Sequence, residues 1–241
     1  MSTRRAKQII YGMFYFVIWV AFIAVVWLAV RFIAPSAPAA TPCTVSTCAP
    51  TSTAPISVSP VTTFLSSPGH YTFLAQVQDT DPDYAVSYFD YSIDLEDSSG
   101  TVLQSIPENS FIYAGQTKYL VVPNVEIPQA PVNVVLSVKD AYWAATSSLG
   151  TIPAFTTENL TTGETSSTVS VSGEITNANL SVTSYVFVDV IFIGGDGSPV
   201  GASQTELNNV APNQTVDFSV EYPQTGPIDP TKSQVVVYGI K

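Results

Sequence analysis

Asp79, Asp81 and Asp83 alternate in the stretch Asp-Thr-Asp-Pro-Asp-Tyr, so three carboxylates sit close enough to serve either a hard cation or a turn. Calcium takes six to eight oxygen ligands, so these three would need help from elsewhere, and Glu126 or Asp140 could supply it. The ligand spacing and glycine of an EF-hand loop are absent. His70, the sole histidine, lies in Ser66-Ser67-Pro68-Gly69-His70, a turn leading into a strand pattern. No Gly-x-Ser-x-Gly elbow accompanies it, so a serine nucleophile activated by histidine is not expected. Gly194-Gly195-Asp196-Gly197 lies between two strand patterns instead of opening a helix, which makes it a hairpin turn and not a phosphate cradle. The 19 acidic residues contain many possible pairs. Paired-carboxylate hydrolysis also needs a pocket, and no insertion between the strands supplies one. The expectation is a chain without catalytic residues or cofactor, and the Asn-x-Ser/Thr triplets at Asn159, Asn179 and Asn213 are given no role.

The elements that hold these residues announce themselves by alternation. Tyr71, Phe73, Ala75 and Val77 point one way while Thr72, Gln76 and Gln78 point the other. Val169, Val171, Gly173 and Ile175 alternate with polar neighbours in the same manner, and no amphipathic helical stretch follows Arg31. The two regions are copies of one plan. Phe89, Tyr91, Ile93 and Leu95 match Val186, Val188, Val190 and Phe192; Gly100 matches Gly197; Gly115-Gln116-Thr117 matches Asn213-Gln214-Thr215. Asp79 and Asp81 then fall on Asn177 and Asn179. Asp and Asn both accept backbone hydrogen bonds in tight turns, so a turn accounts for both copies, whereas a metal accounts for one. The fold class is therefore all-β: two tandem β-sandwiches over 61–152 and 153–241, which the resemblance given next makes immunoglobulin-like, preceded by one transmembrane helix. In the second copy, Val171, Ile175, Val186, Val188, Val190, Phe218 and Val220 are expected to share one interior.

That second copy resembles the FxLYD-type bacterial immunoglobulin-like domain. The likeness rests on Gly173-Glu174-Ile175-Thr176-Asn177 before a long apolar strand, then Asp196-Gly197, then Pro212-Asn213-Gln214-Thr215 before Phe218, and covers most of 166–241. In the first copy Leu95-Glu96-Asp97 stands where the family's Leu-Tyr-Asp would be. The start, Lys7-Gln8-Ile9-Ile10-Tyr11-Gly12, followed by an anchor and a cysteine-bearing linker, also resembles uncharacterised single-pass bacterial envelope proteins. Neither resemblance implies a catalytic residue.

Residues 9–30 carry no charge and as a helix would span about 33 Å, against about 30 Å of hydrocarbon. A transmembrane helix over 9–33 is expected, anchored in lipid and uncleaved, since the apolar part of a signal peptide is shorter. Arg4, Arg5 and Lys7 precede it, placing the tail 1–8 in the cytoplasm and the bulk of the chain outside. Tyr11, Tyr15, Trp19 and Phe22 recur at helical spacing, which would suit a membrane-helix partner as well as interfacial anchoring. Residues 34–60 are rich in Pro, Ser and Thr, and read as an extended stalk. Its Cys43 and Cys48 are candidates for a local disulfide in an oxidising compartment. All 19 acidic residues lie at or beyond Asp79 with only Lys118, Lys139, Lys232 and Lys241 to offset them, a surface that disfavours nucleic acid. These features point to a non-catalytic envelope protein that displays two domains to an extracytoplasmic protein or surface. The alternative is a calcium-responsive module with its cation at Asp79, Asp81 and Asp83.

Overall fold

The computed structural model describes residues 56–240 apart from 129 and 225. The expected membrane helix and both cysteines lie outside the described residues, among which no helix is long and apolar enough to cross a membrane. Thirteen strands and a single helical turn make up the described chain. The first repeat contains β1 (Ser57–Val58), β2 (Thr62–Ser67), β3 (His70–Gln78), β4 (Tyr84–Glu96), β5 (Val102–Ile112), β6 (Thr117–Glu126), β7 (Asn133–Ala145) and α1 (Thr146–Leu149). The second contains β8 (Phe155–Glu164), β9 (Thr168–Asn177), β10 (Thr183–Gly194), β11 (Pro199–Val210), β12 (Thr215–Pro223) and β13 (Ile228–Ile240).

The pairing repeats. In the first repeat β3 lies between β2 and β6 while β4 lies between β5 and β7; in the second, β9 lies between β8 and β12 while β10 lies between β11 and β13. All of these pairs are antiparallel. The inner faces of the first repeat meet in a core of Phe73, Val77, Leu120 and Val122 against Phe89, Tyr91, Ile93 and Leu95. The inward set expected for the second repeat is buried throughout, from Val171 and Ile175 through Val186, Val188 and Val190 to Phe218 and Val220. Phe192 stacks on Tyr222 at 5.3 Å in the same interior. That ring lies over Gly201, where a Cβ would come within 2.3 Å of it, so only glycine lets the strand pass beneath.

β1 falls in the last residues of the expected stalk. Ser57 and Val58 pair with Gln78 and Val77, and the Ser59 N–H donates to the Gln76 carbonyl at 2.8 Å. Its backbone groups find partners on the edge of β3, which is why this end of the proline-rich segment is not free.

The alternation along β3 is not followed by the expected exposure. Thr72 and Leu74, on the face opposite Phe73, are buried as well. One apolar cluster joins Phe64, Leu74 and Val121 of the first repeat to Ile191, Ile193 and Ala202 of the second. β11 runs over β2, β3 and β6 to make that junction. The two sandwiches therefore share a buried seam, giving four sheets in succession: β5-β4-β7, then β2-β3-β6, then β11-β10-β13, then β12-β9-β8. The described residues fall within one compact unit.

Candidate functional site

Asp79 is fully buried and its Oδ1 accepts the Asp81 N–H at 2.8 Å. Asp81 Oδ1 in turn accepts from the backbone N–H groups of Asp83 at 2.9 Å and Tyr84 at 3.1 Å. These are the bonds of consecutive Asx turns. In the second repeat Asn177 Oδ1 accepts the Asn179 N–H at 3.0 Å, and the N–H groups of Asp79 and Asn177 both donate at 3.0 Å to the carbonyls of the corresponding Gln116 and Gln214. Gly115 and Asn213 occupy the same place in these loops with φ of 69° and 57°. Asp81 Oδ1 is taken up by these two backbone N–H groups, and among the described residues no group of three His, Cys, Asp or Glu side chains is arranged to hold a metal. Glu126 ends β6 opposite His70, and Asp140 is exposed on β7. His70 opens β3 opposite Ser67 of β2, with Nδ1 at 3.3 Å from the Pro68 carbonyl oxygen. Gly194 to Gly197 form the β10–β11 hairpin, in which the Gly197 N–H donates to the Gly194 carbonyl at 3.0 Å.

The concentration of unusual chemistry lies at the seam, where sequence reasoning had placed nothing. Lys118 on β6 and Asp189 at the centre of β10 are both buried, at 3% and 0% exposure. Lys118 Nζ donates to Ser110 Oγ at 3.0 Å and to the Phe111 carbonyl at 3.3 Å. It also stands 3.5 Å from the centre of the Phe111 ring, 5.2 Å from that of Tyr238 and 5.4 Å from that of Phe187, so rings of both repeats surround one ammonium. Burial pushes its pKa down to about 7, with the Asp189 carboxylate acting the other way. Asp189 Oδ1 accepts from Gln204 Nε2 at 2.6 Å while Oδ2 is buried without a hydrogen-bond partner. Burial pushes the Asp189 carboxyl up to about 6, opposed by Gln204 and Lys118. The Tyr238 hydroxyl accepts the Tyr119 backbone N–H at 2.9 Å, tying the edge of β6 to the second repeat.

Outward from Lys118 the seam opens into a cleft of about 500 Å³. One wall comes from Tyr88, Tyr91, Glu108 and Phe111 of the first repeat, the other from Tyr185, Phe187, Gln204 and Glu206 of the second. Direct cross-strand partners share a face, so Tyr238, Phe187 and Glu206 align across β13, β10 and β11, as do Val236, Asp189 and Gln204. Tyr88 and Tyr185 hold corresponding places one residue before Phe89 and Val186, and both are exposed, at 40% and 49%. The cleft needs no insertion: it forms where two sandwiches meet, which a search for long loops cannot find. A local signal did exist, since Asp189 stands alone as a charge within the apolar run 186–193 and Lys118 opens the apolar run 119–122.

No protein-family model matches the chain, and no curated protein does. Among solved structures, a β-glucuronidase from glycoside hydrolase family 2 matches at a TM-score of 0.20 and 12% identity, over 71% of this chain and 24% of that one. The chain spans about a quarter of that protein's length, and a likeness of this order carries no argument about fold or activity.

Proposed function

We propose that this chain is a single-pass envelope protein, anchored in lipid through residues 9–33, with residues 1–8 cytoplasmic and the β-sheets held outside for contact with a protein or surface, without chemistry of its own. The reading keeps the immunoglobulin-like, FxLYD-type assignment of the second repeat. The observation that carries it is the seam. Two sandwiches on a flexible linker would present independent surfaces, whereas a shared buried junction presents one fixed surface built from both, which suits a recognition platform. The apolar run 9–30 and the cationic residues before it support the anchor and its orientation.

Membrane fractionation tests the address. Alkaline carbonate should leave the full chain in the membrane fraction, and protease added to intact cells should remove the acidic region. A soluble product beginning near residue 40 would overturn the proposal. Crosslinking in intact cells followed by mass spectrometry then identifies what the outer surface touches.

A further inference from the structure

We infer that the seam cleft receives a basic side chain, lysine or arginine, presented by a protein partner. The inference rests on the display reading and deepens it by naming what the displayed surface recognises.

The chemistry of the walls selects the charge. Glu108 and Glu206, both exposed, supply one carboxylate from each repeat. Tyr88 and Tyr185 supply one accessible aromatic face each. A cation over an aromatic face and beside a carboxylate is held by both, and the effect grows as water is excluded. Tyr88 donates its hydroxyl proton to Asp90 Oδ1 at 2.6 Å, which fixes the ring and places a further carboxylate behind it. That bond, first among the causes, keeps the Tyr88 phenol above its ordinary pKa, so it stays a neutral ring at neutral pH.

The deeper end of the same cleft already shows the interaction in use. Lys118 ammonium sits among Phe111, Phe187 and Tyr238. That lysine is buried, whereas Tyr88 and Tyr185 are exposed, so an incoming group has the two tyrosines open to it. Lys118 is the one basic residue in the lining, and it is buried, so nothing accessible there would attract an anion. With 19 acidic residues from Asp79 onward, the surrounding field draws cations towards the cleft.

The test uses the full-length chain in neutral detergent and a fluorescent tetra-arginine peptide followed by anisotropy, with a tetra-glutamine peptide as the uncharged counterpart. Tetra-arginine should bind and tetra-glutamine should not. Glu108→Gln with Glu206→Gln should weaken binding about tenfold, and so should Tyr88→Leu with Tyr185→Leu, which keeps apolar volume while removing the ring face. Glu158→Gln with Glu221→Gln removes the same charge from exposed positions on β8 and β12 and should change affinity less than about twofold. Equal weakening by the two glutamate pairs would overturn the inference in favour of a diffuse acidic field. Indifference to the tyrosine pair would overturn it too, as would a neutral oligosaccharide that binds where tetra-arginine does not. Failure here with the fractionation and protease results intact removes the cleft's role and leaves the display reading standing.

Discussion

The two repeats use one turn with two different side chains at its centre. Asn177 closes its turn completely, because its Nδ2 donates to the Ser181 carbonyl at 3.1 Å and the Val210 carbonyl at 2.8 Å while its Oδ1 accepts from Asn179. Asp79 makes the equivalent acceptor bond but has no N–H to donate, and its Oδ2 is buried without a partner. Desolvation, partly offset by the Asp81 N–H, raises the Asp79 pKa above its usual value. The difference teaches that backbone geometry is what the repeat preserves, and that the charge of Asp79 is tolerated at a cost to stability and is not required by the turn.

If the seam makes the repeats one cooperative unit, damage to either should reach the other. Val188→Asp places an unpaired charge in the fully buried interior of the second repeat and should cost several kcal/mol, enough to unfold it. Hydrogen exchange should then show lost protection in β3 and β6 of the first repeat as well. Native protection there would separate the repeats energetically.

Next in size is the seam pair. Lys118→Met leaves Asp189 buried without its counter-charge and should cost about 3–5 kcal/mol near neutral pH. Lys118→Met combined with Asp189→Leu should instead be neutral or gain about 1–4 kcal/mol, since neither charge is then desolvated. The pH profile separates the two partners. Asp189, raised from 3.8 to about 6, binds more protons folded than unfolded within that window, so its contribution falls as pH rises through it. Lys118, lowered from 10.5 to about 7, binds fewer when folded, so stability rises with pH between those values. Parent stability relative to the double variant should therefore be lowest between about pH 6 and 7; denaturant midpoints across the range check it, and a flat difference would show that the pair is not desolvated as described.

The turn itself offers a reciprocal exchange. Asp79→Asn should stabilise the first repeat by about 1–3 kcal/mol at neutral pH, and Asn177→Asp should destabilise the second by a similar amount. The gain from Asp79→Asn should shrink as pH falls through the raised Asp79 pKa, because the folded protein then carries the proton itself. Equal melting temperatures for all three proteins would mean that the two turns are not electrostatically distinct. The smallest expected effect is that of calcium: millimolar ion should leave the melting temperature of the parent unchanged, as it should that of Asp79→Asn combined with Asp81→Asn. A rise in the parent that the double variant loses would restore the cation reading.

The turns and the inward faces were legible because they are local. Asx residues at Asp79 and Asn177, glycine or asparagine at Gly115 and Asn213, and alternation from Val186 to Phe192 each state their role within a few positions. The seam was not legible in that way. Period two assigns Leu74, Ile191 and Ile193 to the second face of their strands, but it cannot say whether water or another sheet covers that face. Asp189 and Lys118 drew no notice for the same reason: each acquires its meaning from a strand of the other repeat.

The seam also sets an order in time. The last strand of the first repeat ends at Ala145, but the sheet that covers Phe64, Leu74 and Val121 is finished only when β13 ends at Ile240. At about 5–20 residues per second of synthesis, that face stands open for on the order of ten seconds while the second repeat is made. Thr62, Ser66, Thr72 and Gln76 share the waiting face with those apolar side chains. Their polarity breaks the apolar surface into separate patches, so the nascent first repeat can wait for its partner without offering a broad adhesive face to its neighbours.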